Sequence, residues 1–446
     1  MIDRVLDLLS EKKYPEIKHT VSTMHEADIA EIFEEIEDRE TMLRLFRLLP
    51  KEQAAEVFAY MDTDIQQRLV GALTDTELHY VIDNMYLDDF VDMVEEMPAN
   101  VVQRVMKHAS PKNRSLINQY LQYPDNSAGS LMTCEYVYLK KTLTVREAFA
   151  VIRNTGVDKE TVYNCYVTDP QRKLEGVVSV LELLLADPDA VLDTIMTHDP
   201  ILVHTLDDRE DIAKMFSHYD LLALPVVDNE NRLVGIITVD DAIDVLVEEN
   251  TEDFERMAGM TSSEETYLKT PVFTLAKNRI VWLLVLMISA MVTGALLEHF
   301  EAAIATIPLL VSFIPMLMGT GGNSGSQAAT MVIRGMALDE IEFSDIFRVW
   351  WKEVRVAVLV GIALSAVNFL RILIQYRDFM IAFVVSLTMI VTVIIAKSIG
   401  CLFPMLAKKL KLDPAIMAAP MITTVTDAVS ILVFFSFATA FLSSRL

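Results

Sequence analysis

The chain has 446 residues, 52 % of them hydrophobic, and a formal net charge of −25 at pH 7. The charge sits on one side of the sequence: residues 1–270 carry 25 Lys+Arg against 53 Asp+Glu, whereas residues 271–446 carry 13 against 10. A field of that sign repels phosphate backbones and gathers cations, which argues against nucleic acid as a partner, and the cysteines Cys134, Cys165 and Cys401 lack the number and spacing of a disulfide framework or a zinc site.

Early acidic residues and no apolar signal core in MIDRVLDLLSEKKYPEIK predict that the first 270 residues stay in the cytosol. Residues 1–122 read as short amphipathic helices, each opened by a signal such as Pro50, Thr74, Pro98 or Ser110-Pro111. Their regular spacing predicts a small helical superhelix. Asp88, Asp92, Glu95 and Glu96 fall at i, i+4, i+7 and i+8 on one helical face, the pattern of a solvated surface or of a cation site.

Residues 123–243 contain an internal repeat. Met132-Thr133 recurs as Met196-Thr197, and Asp169…Leu174-Glu175-Gly176-Val177-Val178-Ser179 recurs as Asp228…Leu233-Val234-Gly235-Ile236-Ile237-Thr238. Each copy reads as helix, strand, turn, strand, helix, and the duplication resembles a tandem pair of CBS domains, an α/β fold. That resemblance implies an adenine nucleotide such as ATP in the cleft between copies, held by a Thr/Ser-x-x-Asp after the last strand. Thr238 and Asp241 match the pattern; Ser179 and Glu182 in the first copy depart from it.

A connecting helix is expected within residues 244–270. Asp241, Asp244, Glu248, Glu252 and Glu255 form an acidic stripe, and ten acidic residues between Asp240 and Glu265 face a single basic one, Arg256. A solvated helix ordinarily intersperses Lys at i+4, so this stripe repels itself unless cations neutralise it.

Residues 271–446 predict five membrane helices: Ile280–Leu297, a span within the uncharged run Ala302–Ile333, Val356–Leu370 flanked by Arg355 and Arg371, Phe379–Phe403 with Lys397 inside it, and Pro414–Ser444 interrupted by Asp427. Lys277, Arg279, Arg334, Arg348, Lys352, Arg355, Lys408, Lys409 and Lys411 fall in loops on one side, which orients that side to the cytoplasm and the C-terminus outward. In the second span, Gly319, Asn323 and Gln327 recur at i, i+4 and i+8. Helix packing accounts for the small residues there but not for two amides. Asp427, a carboxylate at bilayer depth, marks an ion path unless it pairs with Lys397.

The segment Gly319-Thr320-Gly321-Gly322-Asn323-Ser324-Gly325-Ser326-Gln327-Ala328, the Pro420…Asp427 helix, the Tyr123-Pro124-Asp125-Asn126-Ser127-Ala128-Gly129 lead into the repeat and the acidic helical N-domain together resemble the MgtE family of Mg²⁺ channels over the whole chain. The resemblance implies a homodimer in a lipid bilayer, in the cell membrane, with the pore on the two-fold axis. Asp427 would form the selectivity ring with Asn323 nearby, and the helix around residues 244–266 would close the pore when cytosolic Mg²⁺ binds. It also implies sensor ligands among Asp88, Asp92, Asp228, Asp244, Glu248, Glu252, Glu255 and Asp413. Few carboxylates gripping a hydrated ion suit Mg²⁺ better than Ca²⁺, and the lack of Cys, His or Met clusters disfavours soft metals. An intramembrane hydrolase is disfavoured because no predicted span carries a His to serve as base. An ion-coupled divalent-cation carrier is the alternative, although no paired inverted repeat supports it.

Overall fold

The computed structural model describes residues 2–156, 159–261, 267–268, 270–417 and 419–442. Part of the expected connecting segment, residues 262–266 and 269, therefore lies outside the described residues. The chain divides into two compact units, residues 1–246 and 247–446.

The first unit opens with ten helices of eight to ten residues: α1 (Ile2–Ser10), α2 (Tyr14–Val21), α3 (Glu26–Glu34), α4 (Arg39–Leu48), α5 (Lys51–Ala59), α6 (Thr63–Ala72), α7 (Asp75–Asn84), α8 (Leu87–Glu96), α9 (Ala99–His108) and α10 (Pro111–Tyr120). Their starts follow local chemistry. Thr74 and Glu77 close a reciprocal cap on α7, Asp38 accepts from the Thr41 amide at 2.8 Å to start α4, and Ser110 accepts from the Asn113 amide at 3.2 Å to start α10. Alternate helices stack, α3 on α5, α5 on α7 and α7 on α9, so one apolar seam containing Ile29, Phe33, Phe58, Val81 and Val105 runs through the superhelix.

After the short α11 (Ala128–Leu131), the two repeats follow. The first comprises β1 (Tyr136–Lys140), α12 (Val145–Thr155), β2 (Thr161–Thr168), β3 (Leu174–Ser179) and α13 (Val180–Leu185), and β4 (Thr197–His198) completes its sheet. The second comprises β5 (Val203–His204), α14 (Arg209–Tyr219), β6 (Ala223–Val227), β7 (Leu233–Thr238) and α15 (Val239–Met257). In both copies the first strand pairs parallel with the second across a helical crossover, and the second forms an antiparallel hairpin with the third. Each copy thus gains a leading strand absent from the sequence expectation, because β5 is two residues long and β1 only five, with Val137 and Leu139 buried and Tyr138 and Lys140 exposed.

The recurring Met-Thr and Gly positions lock the copies together. Thr133 exchanges both backbone hydrogen bonds with Ile236 of the second copy, and a Cβ on Gly235 would meet Met132 at 2.7 Å. Reciprocally, Thr197 pairs with Val177 of the first copy, and a Cβ on Gly176 would meet Met196 at 2.8 Å. Only glycine leaves room for the partner's methionine at either place.

The second unit holds α16 (Val272–His299), α17 (Glu301–Thr306), a 3₁₀ turn at Pro308–Phe313, α18 (Ile314–Ala337), α19 (Ile346–Tyr376), α20 (Phe379–Lys409) and α21 (Ala419–Leu442). Four helices among the described residues, α16, α19, α20 and α21, are long and apolar enough to cross a membrane. The fifth expected span, α18, has 24 residues, about 36 Å of helix, but its Gly, Asn, Ser and Gln make it too polar to qualify by composition. The uncharged run from 302 to 333 is not one helix: Pro308 and the 3₁₀ turn break it, and α18 runs on past Arg334. The third span is longer than expected, because α19 continues through Glu353 and Arg355 over 31 residues.

Candidate functional site

The GTGGNSGSQA segment resolves into two faces of α18. Gly321, Gly322 and Gly325 are buried, and added Cβ atoms would strike Ser430 at 2.8 Å, Thr423 at 2.8 Å and Ile422 at 2.7 Å respectively. From α20, a Cβ on Gly400 would collide with the backbone of Gly325. Backbones approach this closely only where side chains are missing, and without a hydrophobic drive between helices in lipid such contacts hold the bundle together. Gly319, Asn323, Gln327 and Thr330 form the opposite, exposed face. Gly321, Gly322 and Gly325 pack and the amides do not, which separates the two readings of this motif.

Beside that face lies an open cleft of about 730 Å³, lined by Asn323, Ser326, Gln327 and Thr330 of α18, Glu353 of α19 and Lys397 of α20. Lys397 is buried and pairs with Glu353 at 3.3 Å. It is therefore not the counter-charge of Asp427. Asp427 is half-buried on α21 and makes no hydrogen bond or ion pair to another described residue. Hydroxyls around it are turned inward: Thr423 and Thr424 donate to the Pro420 carbonyl at 2.9 and 2.8 Å, and Thr426 to that of Ile422 at 2.8 Å. Back-bonding of this kind leaves the carboxylate as the free polar group of its helix face.

Lys408 donates to the Met336 carbonyl at 3.2 Å, and Lys409 lies over the Phe343 ring at 4.3 Å. The basic loops after α18 and α20 therefore share one end of the bundle, as their Lys and Arg content predicts.

The end of α15 is fastened to this unit. Arg256 pairs with both Glu252 and Asp413, and Met257 packs on Ala329, Ile333 and Ile422. Gly259 has a φ of +71°, and a Cβ there would collide with Trp282. Asp413, expected as a cation ligand, is held instead by Arg256 and by the Ala415 amide, which donates to it at 2.7 Å. Sequence reading counted Arg256 only as the lone base of its stripe.

In the first unit, α8 carries its acids against the repeats. Asp88 is buried, and its Oδ1 has no hydrogen-bond partner among the described residues; the same holds for Glu160 Oε2. Burial, then the neighbouring Asp241, Asp89, Glu160 and Glu135, hold the Asp88 carboxyl well above the usual carboxylate range. Burial and then Asp89, Asp240 and Asp241 push Glu160 up to about 8. Asp89, raised to about 6 by burial and then Asp241, belongs to the same cluster. Asp92 is pushed up to about 8 by burial and Asp241, yet one edge of it stays exposed. Asp89, Glu135, Glu160 and Asp240 were missed in the sequence, since Glu135 and Glu160 flank strands and carry no periodic signal.

Thr238 donates its hydroxyl to Asp241 at 2.6 Å, so the Thr-x-x-Asp pair caps α15. Ser179 and Glu182 do the same for α13 at 2.8 Å. Asp241, at about 6 through burial against the opposing Thr238 hydrogen bond, also faces the acids of α8. Asp228, expected as a ligand, is a turn residue: its Oδ1 accepts from the Glu230 and Arg232 amides at 2.8 and 2.9 Å, as Asp169 does from Gln171 and Lys173. Asp244 and Glu248 are exposed on α15, whereas Glu252 and Glu255 are half-buried. No three acids, His or Cys among the described residues converge on one point as they would around a bare ion. Crowded carboxylates with orphaned oxygens suit a hydrated cation held through its water shell.

Comparison with known proteins follows the same division. Residues 24–126 match the MgtE intracellular N domain, 128–189 and 192–248 the CBS domain, and 314–437 the MgtE divalent cation transporter family. The magnesium transporter MgtE of Thermus thermophilus is 33 % identical over 428 residues, covering 95 % of this chain and 94 % of its own. That of Bacillus subtilis is 30 % identical over 444 residues, covering 100 % and 98 %. Among solved structures, the cytosolic domain of the Mg²⁺ channel MgtE in complex with ATP matches at 33 % identity and a TM-score of 0.52, over 55 % of this chain and 100 % of that one. By its sequence along nearly its full length, the chain belongs to the MgtE family of magnesium transporters.

Proposed function

We propose that the chain is a Mg²⁺ channel of the cell membrane, closed by cytosolic Mg²⁺. The observation that carries this is Asp427, a carboxylate at membrane depth with no counter-charge among the described residues, while the deep Lys397 is already matched by Glu353. A dication still wearing water fits such a site, because Mg²⁺ sheds its shell reluctantly and needs acceptors more than direct ligands. In a homodimer with the pore on its axis, Asp427 from both protomers and the exposed amide of Asn323 line the path. The basic loops face the cytosol with residues 1–270.

The chain works in four parts, divided at residues 122, 243 and 270: N-domain, CBS pair, connecting helix and membrane domain. Mg²⁺ bound at Asp88, Asp92 and Asp244 lowers the mutual repulsion of the acids around α8. Glu248, Glu252 and Glu255 extend that acidic stripe, the second carboxylate oxygen of Asp228 is within the same ligand class, and Asp413 joins it only when Arg256 lets go. Like charges about 7 Å apart at an effective dielectric near 20 repel by roughly 2.4 kcal/mol, so a few such pairs suffice to bias an opening equilibrium. An adenine nucleotide binds at Thr238 and Asp241 of the CBS pair. The ATP complex of the related cytosolic domain supports this, and the acids beside Asp241 require the triphosphate to arrive with a counter-cation.

Mg²⁺ flux into liposomes tests the core of the proposal. Asp427→Ala abolishes flux if the carboxylate meets the ion, and unchanged flux and ion preference remove the path. Coupling of flux to a Na⁺ or H⁺ gradient would establish a carrier instead.

A further inference from the structure

Lys397 and Glu353 join α20 to α19 at 3.3 Å, with 6 % and 17 % of their side chains exposed. Two opposite charges this far from bulk water are costly to desolvate, and apolar residues of similar size would hold two helices together at least as well. Ionisable groups kept at membrane depth mark pathways. Both residues line the same cleft as the exposed amides of Asn323 and Gln327, and the Ser326 hydroxyl is buried there with no hydrogen-bond partner among the described residues. The cleft's volume of about 730 Å³ accommodates an ion with six waters, roughly 200 Å³ at about 30 Å³ per water.

We infer that Glu353 is a second carboxylate station for the hydrated divalent cation, in the cleft faced by Asn323 and Gln327, and that Lys397 is its tethered counter-ion. The inference rests on the reading that the chain moves Mg²⁺ through this unit. A hydrated Mg²⁺ presents water hydrogens, and the cleft offers acceptors for them: the Glu353 carboxylate, two amide oxygens and the Ser326 hydroxyl. With no ion present, the ammonium of Lys397 holds Glu353; when an ion arrives, the four-carbon stem lets the head move aside without moving the backbone. The competition matters for rate. An unopposed carboxylate at low dielectric would hold a dication too long, whereas conduction needs a site that fills and empties.

The test uses the full chain in proteoliposomes. Lys397→Met removes the competitor, so the apparent KM for Mg²⁺ falls about tenfold and maximal flux falls with it; Glu353→Gln leaves an unmatched cation and raises KM about tenfold. A pair that only clamps two helices moves KM in the same direction in both variants, or not at all, and either result overturns the inference. Should these variants fold poorly, Ser326→Cys in a Cys134→Ala background supplies a second measurement in detergent. Modification of Cys at 326 by a cationic methanethiosulfonate slows in millimolar Mg²⁺ if the cleft holds the ion, and an unchanged rate sinks it. Repeating the modification with Asp427→Asn separates the two sites. Protection that persists while flux is lost supports both, and absent protection with lost flux overturns the cleft alone.

Discussion

In residues 1–246, Asp88, Asp89, Glu160 and Asp241 crowd one another, and every charged neighbour that shifts them is acidic. In residues 247–446, Lys397 is matched by Glu353, and Arg256 by Glu252 and Asp413, while Asp427 has no such partner among the described residues. A cluster of one sign with orphaned oxygens leaves room for a soluble cation, whereas a matched pair has its cation built into the chain. The contrast teaches which acids can take Mg²⁺ directly: those whose charge nothing on the polypeptide cancels, whereas an acid such as Glu353 must first release its lysine.

The comparison breaks first at the unmatched Asp427. Asp427→Asn keeps the size and the hydrogen-bonding group but removes the charge, and Mg²⁺ flux should drop on the order of a hundredfold, in line with about 2 to 5 kcal/mol for losing one partner of a buried charge pair. A second break tests the packing that positions it. Gly400→Ala drives a methyl group into the Gly325 backbone, and overpacking between two backbones should cost about 1 to 3 kcal/mol, read as a loss of thermal stability in detergent. Neutralising Asp244, Glu248 and Glu252 together should leave flux intact at low Mg²⁺ while currents persist at millimolar cytosolic Mg²⁺; undiminished inhibition would take this stripe out of the sensor.

The pH dependence sharpens the acidic side. Asp88 and Glu160 titrate above their unfolded values, so between about pH 4 and pH 8 the folded unit binds more protons than the unfolded chain. Its stability therefore falls as pH rises through that window. The melting temperature of the full chain without Mg²⁺ should decline from pH 5 to pH 8.5, and Mg²⁺ should flatten the slope. Glu160→Gln should flatten it too without the ion. The smallest effect is expected at Asp228→Asn, since an asparagine oxygen accepts the same two turn amides. Stability should change by less than about 0.5 kcal/mol.

Much of the fold was legible because its signals are local. The caps at Thr74 and Ser110, the Met-Thr and Gly repeat and the long apolar runs each report the backbone they build. What sequence could not give is which face of a helix meets which neighbour. The glycine and amide faces of α18 interleave within a few residues, and only packing against Thr423 and Ile422 separates them. Glu353 was passed over because its partner lies 44 residues away, although a lysine at bilayer depth already demanded one. Asp228 and Asp413 looked like the other acids until the amides and the guanidinium they hold were placed.

The reciprocal threading of Met132 onto Gly235 and Met196 onto Gly176 makes the tandem copies inseparable. Neither sheet is complete without a strip of chain belonging to its sibling, so neither can be cut out and expected to stand. The two hairpins are thereby stitched into one piece of structure. Its last strand passes directly into α15.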